Sequence, residues 1–216
     1  MRAVQWSPNR AAGQGRSGPA RRRLCGDEGA ALVEAAFVTP VFLLMLFGVV
    51  EFGSAYGDYL SLSNLVQTAA RQESVQGNNI QADWLTIQSV KNANNALPIS
   101  RVQQIVIFKA SGPGTSVPVA CKSASQNVGG TSTPGVGSCN RFTSSEWNSA
   151  TGSSWTCAST AIASWCPSLR KVKVADPPDY LGVYIEARHP FITGLFGSAL
   201  TLTDTTIIRL EPQRLG

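Results

Sequence analysis

The sequence has little charge and almost no histidine. Only 14% of its 216 residues are charged, against roughly 25% in an average soluble domain, which excludes a disordered, highly charged chain. The single histidine, His189, excludes a histidine-rich metal site, and its place beside Pro190 indicates a surface or strand-terminal residue. No phosphate-binding loop, dinucleotide fingerprint or nucleophile elbow is present. The sequence therefore predicts no catalytic residues, no metal site and no cofactor.

The basic charge lies almost entirely at the start of the chain. Residues 1–29 hold six Arg against two acidic residues, a net charge of +4 out of the total of +5. They are rich in Gly, Pro and Ser and lack apolar periodicity, so they are predicted to be an unfolded basic leader. The other 187 residues carry twelve basic and eleven acidic groups. The net positive charge of the chain therefore comes from the leader. It does not directly indicate that the protein binds nucleic acid.

An abrupt change to apolar residues follows the leader. Leu32 to Val50 are nineteen residues with one charge, Glu34. A helix of this length spans about 28 Å, close to the ~30 Å core of a bilayer. The sequence predicts a transmembrane helix over residues 30–52, with a core helix of a soluble domain as the alternative. The Arg cluster places the N-terminus in the cytoplasm and the rest of the chain outside.

Glu34 is unexpected in such a helix, because a carboxylate in a membrane costs a few kcal/mol and needs a partner. Cleavage between Gly29 and Ala30 would create an α-amino group at the start of the apolar helix. In a bundle of such helices, Glu34 of one subunit could neutralise the amine of Ala30 of a neighbour. This arrangement accounts for the leader, the glycine and the acid together.

These residues resemble a known family. The run Gly29-Ala30-Ala31-Leu32-Val33-Glu34 resembles the processing site of type IV prepilins. Residues 26–72 resemble the TadE-like family, pilin-like proteins of the tight-adherence (Flp-type) pilus systems. In that family a proline lies within the apolar helix, here Pro40, and an acid with glycine closes it, here Glu51-Phe52-Gly53. An Ala-Ala-Arg follows, here Ala69-Ala70-Arg71.

The resemblance implies a minor pilin or pseudopilin that takes part in Flp-type pilus assembly, with roles in adhesion or secretion. It implies cleavage after Gly29 by a prepilin peptidase. Expected partners are other pilins or pilin-like subunits, the pilus assembly membrane platform and the membrane itself. The protein is expected to be a non-enzymatic, single-pass protein of the cytoplasmic membrane with an extracytoplasmic C-terminal domain. Whether it also enters the filament stays open.

Other interpretations of the N-terminal region stay open. A secretory signal peptide has the same basic-then-apolar design, and Gly53-Ser54-Ala55 before Tyr56 is an acceptable cleavage site. Twin-arginine and lipoprotein signals fit less well. The alternative function is a secreted or single-pass membrane-anchored binding domain unrelated to pili.

The helix is predicted to continue from residue 53 to residue 76. Gly53 and Gly57 form a GxxxG pair, interpreted either as close helix packing between subunits or as a flexible exit from the membrane. Pro40 either kinks the span or is simply tolerated there.

The pattern after residue 76 predicts an α+β domain with a small antiparallel sheet. Ile80, Trp84, Ile87 and Val90 mark a second helix. Three strands are predicted at Val102–Ala110, at 183–188 and at Thr205–Glu211. Phe191 to Leu200 is apolar but too short to span a bilayer, so it is expected to form a short helix or loop that covers the sheet. The predicted domain thus comprises residues 53–110, a loop region and residues 170–216.

The loop region, residues 111–169, has an unusual composition. Twenty-eight of its 59 residues are Gly, Ser or Thr. It also contains four cysteines and three tryptophans: Cys121, Cys139, Cys157, Cys166, Trp147, Trp155 and Trp165. Outside the cytoplasm the cysteines predict two disulfides, with Cys121–Cys139 and Cys157–Cys166 preferred among three connectivities. A zinc site is the less favoured alternative, because the region has no CxxC. Exposed tryptophans would make this region a contact surface.

Overall fold

The computed structural model describes residues 27–93, 97–123, 138–149 and 165–212. The chain divides into two compact units, Met1–Leu46 and Phe47–Gly216. One helix, α1 (Asp27–Gln76), contributes residues to both units. Residues 1–26 of the predicted leader lie outside the described residues.

Helix α1 is 50 residues long and includes both the predicted span and its predicted extension. In the first unit the side chains of residues 29–46 are exposed, although most of them are apolar. An 18-residue window of the helix has a mean hydropathy of 2.2, and none of this window is buried. By length and composition this is one helix that could cross a membrane. Helical residues continue on both sides of Pro40.

The second unit is built on a four-stranded sheet with the order β2-β1-β3-β4, in which all neighbours are antiparallel. The strands are β1 (Val102–Ala110), β2 (Cys139–Thr143), β3 (Tyr180–Pro190) and β4 (Ala199–Arg209). The described residues also form the shorter helices α2 (Ala82–Asn92), α3 (Val119–Ser123) and α4 (Ser144–Ser149). The α+β fold with a long N-terminal helix is therefore confirmed.

One face of the sheet packs against the C-terminal half of α1 and against α2. Because side chains alternate along a strand, β1 and β3 direct every second residue to this face. The resulting core includes Leu62, Leu65, Val66, Ala69, Ile87, Ile105, Ile107, Val183 and Ile185. This core joins the helix that leaves the predicted span to the centre of the domain.

The other face of the sheet carries a smaller apolar cluster closed by a disulfide. Cys121 of α3 is bonded to Cys139 of β2, as the sequence analysis preferred. Phe108 lies in this cluster, and its ring rests on Gly182 of the neighbouring strand, where an added Cβ would collide with the ring. The disulfide thus holds the segment before residue 123 against this face.

The structure differs from the sequence analysis in three places. Residues 191–198 do not cover the sheet; they form the loop of the β3–β4 hairpin, and β4 begins at Ala199, six positions before the predicted strand. Strand β2 lies in the region for which only a loop was expected. Trp147 and Trp165 are buried, so the expectation of exposed tryptophans is wrong for both. Trp155 lies outside the described residues.

Candidate functional site

Glu51 is buried at the end of the apolar run, where its carboxylate binds the hairpin loop, residues 191–198. It accepts hydrogen bonds from the backbone amides of Ile192 and Thr193, at 3.0 and 2.5 Å. The hydroxyl of Thr193 donates a third, at 2.7 Å. Three donors compensate the desolvation of one carboxylate. Glu51 therefore fixes the hairpin loop beside the helix.

Aromatic rings surround this attachment. The ring of Phe52 lies 5.2 Å from that of Phe196 and 6.2 Å from that of Phe191, measured between centroids. The ring of His189 in turn lies 5.7 Å from that of Phe191. Such tilted and edge-on contacts are the favourable geometries for aromatic pairs. The hairpin loop and the last turn of the apolar run thus share one aromatic cluster.

Asp58 forms a second attachment, two turns further along α1. One of its carboxylate oxygens lies 2.6 Å from the guanidinium of Arg101 and 2.6 Å from Nδ1 of His189. His189 is 4% exposed, so it is strand-terminal as expected but not a surface residue. This cluster joins α1, the start of β1 and the end of β3.

A third attachment lies near the other end of the sheet. The buried guanidinium of Arg170 contacts Glu73 of α1 at 2.7 Å and also pairs with Asp83 of α2. The guanidinium stacks over the ring of Trp165, 4.6 Å from its centroid. Asn140 of β2 donates to Asp83 at 2.6 Å. This network connects both helices to the edge strand and to the segment before β3.

The network contains one cation and two carboxyl groups. Burial, reinforced by repulsion from Asp83, raises the pKa of Glu73 to about 8, although Arg170 acts in the opposite direction. With Glu73 protonated, the buried Arg170–Asp83 pair is neutral overall. A neutral set is the form that a low-dielectric core tolerates.

The predicted assembly residues lie on α1. Gly29, Ala30 and Glu34 are exposed near the start of the helix. Among the residues that the structure describes, the Glu34 carboxylate has no ion-pair partner. Gly53 and Gly57 are exposed, and a Cβ added at either would meet no atom within 4 Å. Because α1 is continuous through both glycines, the exit from the predicted span is helical.

The remaining predictions concern the cysteines and metal ligands. Cys166 is disulfide-bonded, but Cys157 lies outside the described residues, so their pairing stays a prediction. Cys25 also lies outside them. Within the described ranges, no group of three His, Cys, Asp or Glu side chains is placed to hold a metal ion.

Sequence reasoning missed three of the four carboxylates that tie α1 and α2 to the sheet, namely Asp58, Glu73 and Asp83. It named Glu51 only as a family feature and gave it no structural role. Their partners are remote: Glu73 and Arg170 are separated by 97 positions. The sequence did contain an indication for Glu73. This residue lies one helical turn after Ala69 and Ala70 on the apolar side of the helix, and a buried acid is expected to have a cationic partner.

The structure is an α+β protein whose long helix has an exposed apolar N-terminal half, which fits a single-pass membrane anchor, and a C-terminal half packed against an antiparallel sheet. Residues 29–71, about a fifth of the chain, match the family model for TadE-like protein. The resemblance to the TadE-like family is thus confirmed over the segment that carries it, and it indicates a protein related to the Tad pilus and to pilin-type families that are non-enzymatic in general. The comparisons found no matching protein of curated function and no matching solved structure.

Proposed function

We propose that this chain is a TadE-like minor pilin or pseudopilin that takes part in assembly of a Flp-type pilus. The observation that carries this proposal is the division of the TadE-like segment, residues 29–71, along one helix. Its first part is apolar and exposed, whereas Ala69 and Ala70 are fully buried in the domain core. A helix that anchors a domain and presents an apolar stem to neighbours is what a pilin-type subunit requires.

Glu34 is the residue proposed to control incorporation. A prepilin peptidase cuts after Gly29, and the new amine of Ala30 is neutralised by Glu34 of a neighbouring subunit. The exposed position of Glu34 supports this role, because its carboxylate is available to another chain. An unpaired charge at the centre of a membrane helix costs about 2.5–3.5 kcal/mol on insertion scales. A partner from a second subunit would remove that cost.

The glycine pair and Pro40 are proposed to serve helix packing. Gly53 and Gly57 have open space above them, so a neighbouring helix could approach their backbone closely. Pro40 lies within the segment that such neighbours would contact. The membrane platform and other pilin-like subunits are the proposed partners, and the chain itself is proposed to be non-catalytic.

The proposed topology places the N-terminus in the cytoplasm and the sheet outside. The disulfide between Cys121 and Cys139 supports this side for the domain, because disulfides persist in oxidising compartments. Cleavage by signal peptidase before Tyr56 fits less well. It would cut within helix α1 and remove Glu51 and Ala55, which are buried against the domain.

The mature N-terminus of the membrane-bound and filament-associated protein tests the proposal. Mass spectrometry is expected to find Ala30 as the first residue. The variant Glu34→Gln is expected to be processed but to enter filaments at a level lower by about 100-fold, which corresponds to the loss of roughly 2.7 kcal/mol. Glu28→Gln is the matched control, because this carboxylate would be removed with the leader.

Two results would overturn the proposal. A mature protein that starts at Tyr56 would indicate a secreted domain released by signal peptidase. An uncut chain whose Glu34→Gln variant behaves like the parent would indicate a membrane-anchored binding domain unrelated to pili.

A further inference from the structure

The hairpin loop exposes large apolar side chains. Ile192 is 75% exposed, Leu195 is 59% exposed and Phe196 is 36% exposed. From Pro190 to Thr203 the sequence contains no charged residue. A cluster of exposed apolar residues on a tight loop indicates a surface that contacts something other than water.

Five of the eight backbone amides of the hairpin loop donate hydrogen bonds within the domain. Glu51 accepts from two amides, and the hydroxyl of Thr193 accepts from the amide of Leu195 at 3.3 Å. The amide of Gly197 donates to the carbonyl of Gly194, and that of Phe191 to the carbonyl of Ser198. Unpaired amides are penalised strongly in hydrocarbon and only weakly in water. This degree of pairing fits a loop that enters the interfacial layer of a bilayer, where the other amides still reach water.

The hairpin loop is continuous with the last turn of the apolar run. The ring of Phe196 lies 3.5 Å from the position of a Cβ on Gly48, and it also contacts the ring of Phe52. Phe52 and Val49 are themselves exposed. The loop therefore lies beside residues 48–52 and extends the same apolar surface sideways from the helix.

Cationic groups lie directly on the domain side of this surface. Arg188 is exposed two positions before Pro190, and Arg101 is partly exposed while it pairs with Asp58. Arginine at the boundary between an apolar surface and water suits the phosphates of lipid headgroups. Two acids on this side of the helix, Glu51 and Asp58, are buried, and Asp58 is already paired with Arg101.

We infer that the hairpin loop is a second membrane contact, which inserts Ile192, Leu195 and Phe196 into the interface of the bilayer that α1 enters. The inference rests on the proposed membrane span at residues 30–52. The occupant is lipid because the loop lies beside the last turn of that span, five of its eight amides are hydrogen-bonded and arginines flank it. Glu51 is the positioning residue that keeps the loop at this level.

The test uses the full chain with Cys25→Ser, reconstituted in phosphatidylcholine–phosphatidylglycerol vesicles. A single cysteine is introduced as Leu195→Cys and labelled, without reduction of the disulfides, with an environment-sensitive nitrobenzoxadiazole dye. Doxyl-labelled lipid reports contact with hydrocarbon, and iodide reports contact with water. Ile192→Cys provides a second position on the same loop.

Two matched controls fix the scale. Phe42→Cys places the dye within the predicted span. Val174→Cys places it at a site that is 73% exposed, on the segment that leads into the start of β3. Strand β3 has 11 residues and is therefore about 36 Å long. Residue 174 precedes this strand and the hairpin loop follows it, so the dye at residue 174 reports on the opposite end of the strand from the loop.

The expected result is that dyes at residues 195 and 192 lose most of their fluorescence to doxyl lipid and little to iodide, while the dye at residue 174 shows the reverse. Iodide quenching at residues 195 and 192 would overturn the inference. Protection from both quenchers would also overturn it and would indicate a second protein chain as the occupant. If the dye at residue 42 is not quenched by lipid, the membrane span itself is wrong and the proposed function fails with it.

Discussion

The carboxylate of Glu51 accepts hydrogen bonds from both the amide and the hydroxyl of Thr193, at 2.5 and 2.7 Å, across 142 positions of the sequence. Glu51 ends an apolar run, where an ionised side chain is expected to face water. It is instead buried, and the loop that binds it is apolar on its outer side. The acid therefore organises a loop rather than marking the start of the aqueous part of the chain.

Replacement of Glu51 is expected to loosen the hairpin loop. In Glu51→Gln the side chain keeps one acceptor oxygen but directs an amide group at backbone donors, so the amides of Ile192 and Thr193 lose strong partners. One lost hydrogen bond corresponds to about tenfold faster hydrogen exchange at these amides. Exchange measured by mass spectrometry in detergent micelles checks this, with Glu211→Gln at an exposed position as the control. Equal exchange in parent and Glu51→Gln would contradict it.

Removal of the cation from the Arg170 network is expected to destabilise the domain strongly. Arg170→Met leaves Glu73 and Asp83 buried without their cation, a change that typically costs about 3–5 kcal/mol. Urea unfolding followed by the fluorescence of the buried tryptophans measures it. Lys173→Met, at an exposed position, should change the free energy of unfolding by less than about 0.5 kcal/mol. A similar small effect of Arg170→Met would show that the network does not hold the helices.

The raised pKa of Glu73 predicts a specific dependence of stability on pH. Its folded value of about 8 lies above the ordinary value of 4.5, so the folded protein binds more protons between these two pH values. The contribution of protonated Glu73 to the free energy of unfolding is therefore complete below about pH 4.5. It is lost as the pH rises through about 8.

The variant Glu73→Gln removes this titration. Its free energy of unfolding should fall less steeply than that of the parent across the same pH range, as measured by urea unfolding at several pH values. Asp176→Asn is the control, since it removes an exposed carboxylate and leaves Glu73 in place. Parallel pH profiles for the parent and Glu73→Gln would refute a raised pKa at this position.

Gly182 is expected to tolerate no side chain. In Gly182→Ala the new methyl group would overlap the ring of Phe108, and the ring cannot move without disturbing the disulfide-closed cluster. Overpacking of this kind costs about 1–3 kcal/mol. Thermal unfolding should show a lower Tm for this variant, whereas Gly112→Ala, where a Cβ meets no atom within 4 Å, should retain the parent value. An unchanged Tm for Gly182→Ala would mean that the strand shifts freely.

The elements that contain continuous apolar runs could be predicted from the sequence. The structure has α1 as one helix, as predicted, and β1 has the predicted bounds Val102–Ala110. Strand β4 was shortened in the prediction because Phe191 to Leu200 was treated as one apolar segment. The alternation of leucine and threonine from Ala199 to Thr203 was in fact the signal of its first half.

The contacts that hold the helices to the sheet could not be predicted in the same way. The partners of Glu51 and Glu73 lie 97 to 142 positions away, and no local pattern specifies such pairs. Strand β2 was missed because it has only five residues and lies among Gly, Ser and Thr. Its place at the sheet edge follows from pairing with β1, which is a property of the whole domain.

The distance in sequence between Glu51 and its loop also has a consequence for biosynthesis. The first part of the domain to emerge from the ribosome is the C-terminal half of α1, yet the loop that binds Glu51 and the arginine that pairs with Glu73 both come from residues 170–193. Until that stretch has been synthesised, Glu51 lacks the loop that buries it and Glu73 lacks its cation. A chain arrested before residue 170 would therefore hold an incomplete domain, and completion of the fold depends on about the last fifth of the polypeptide.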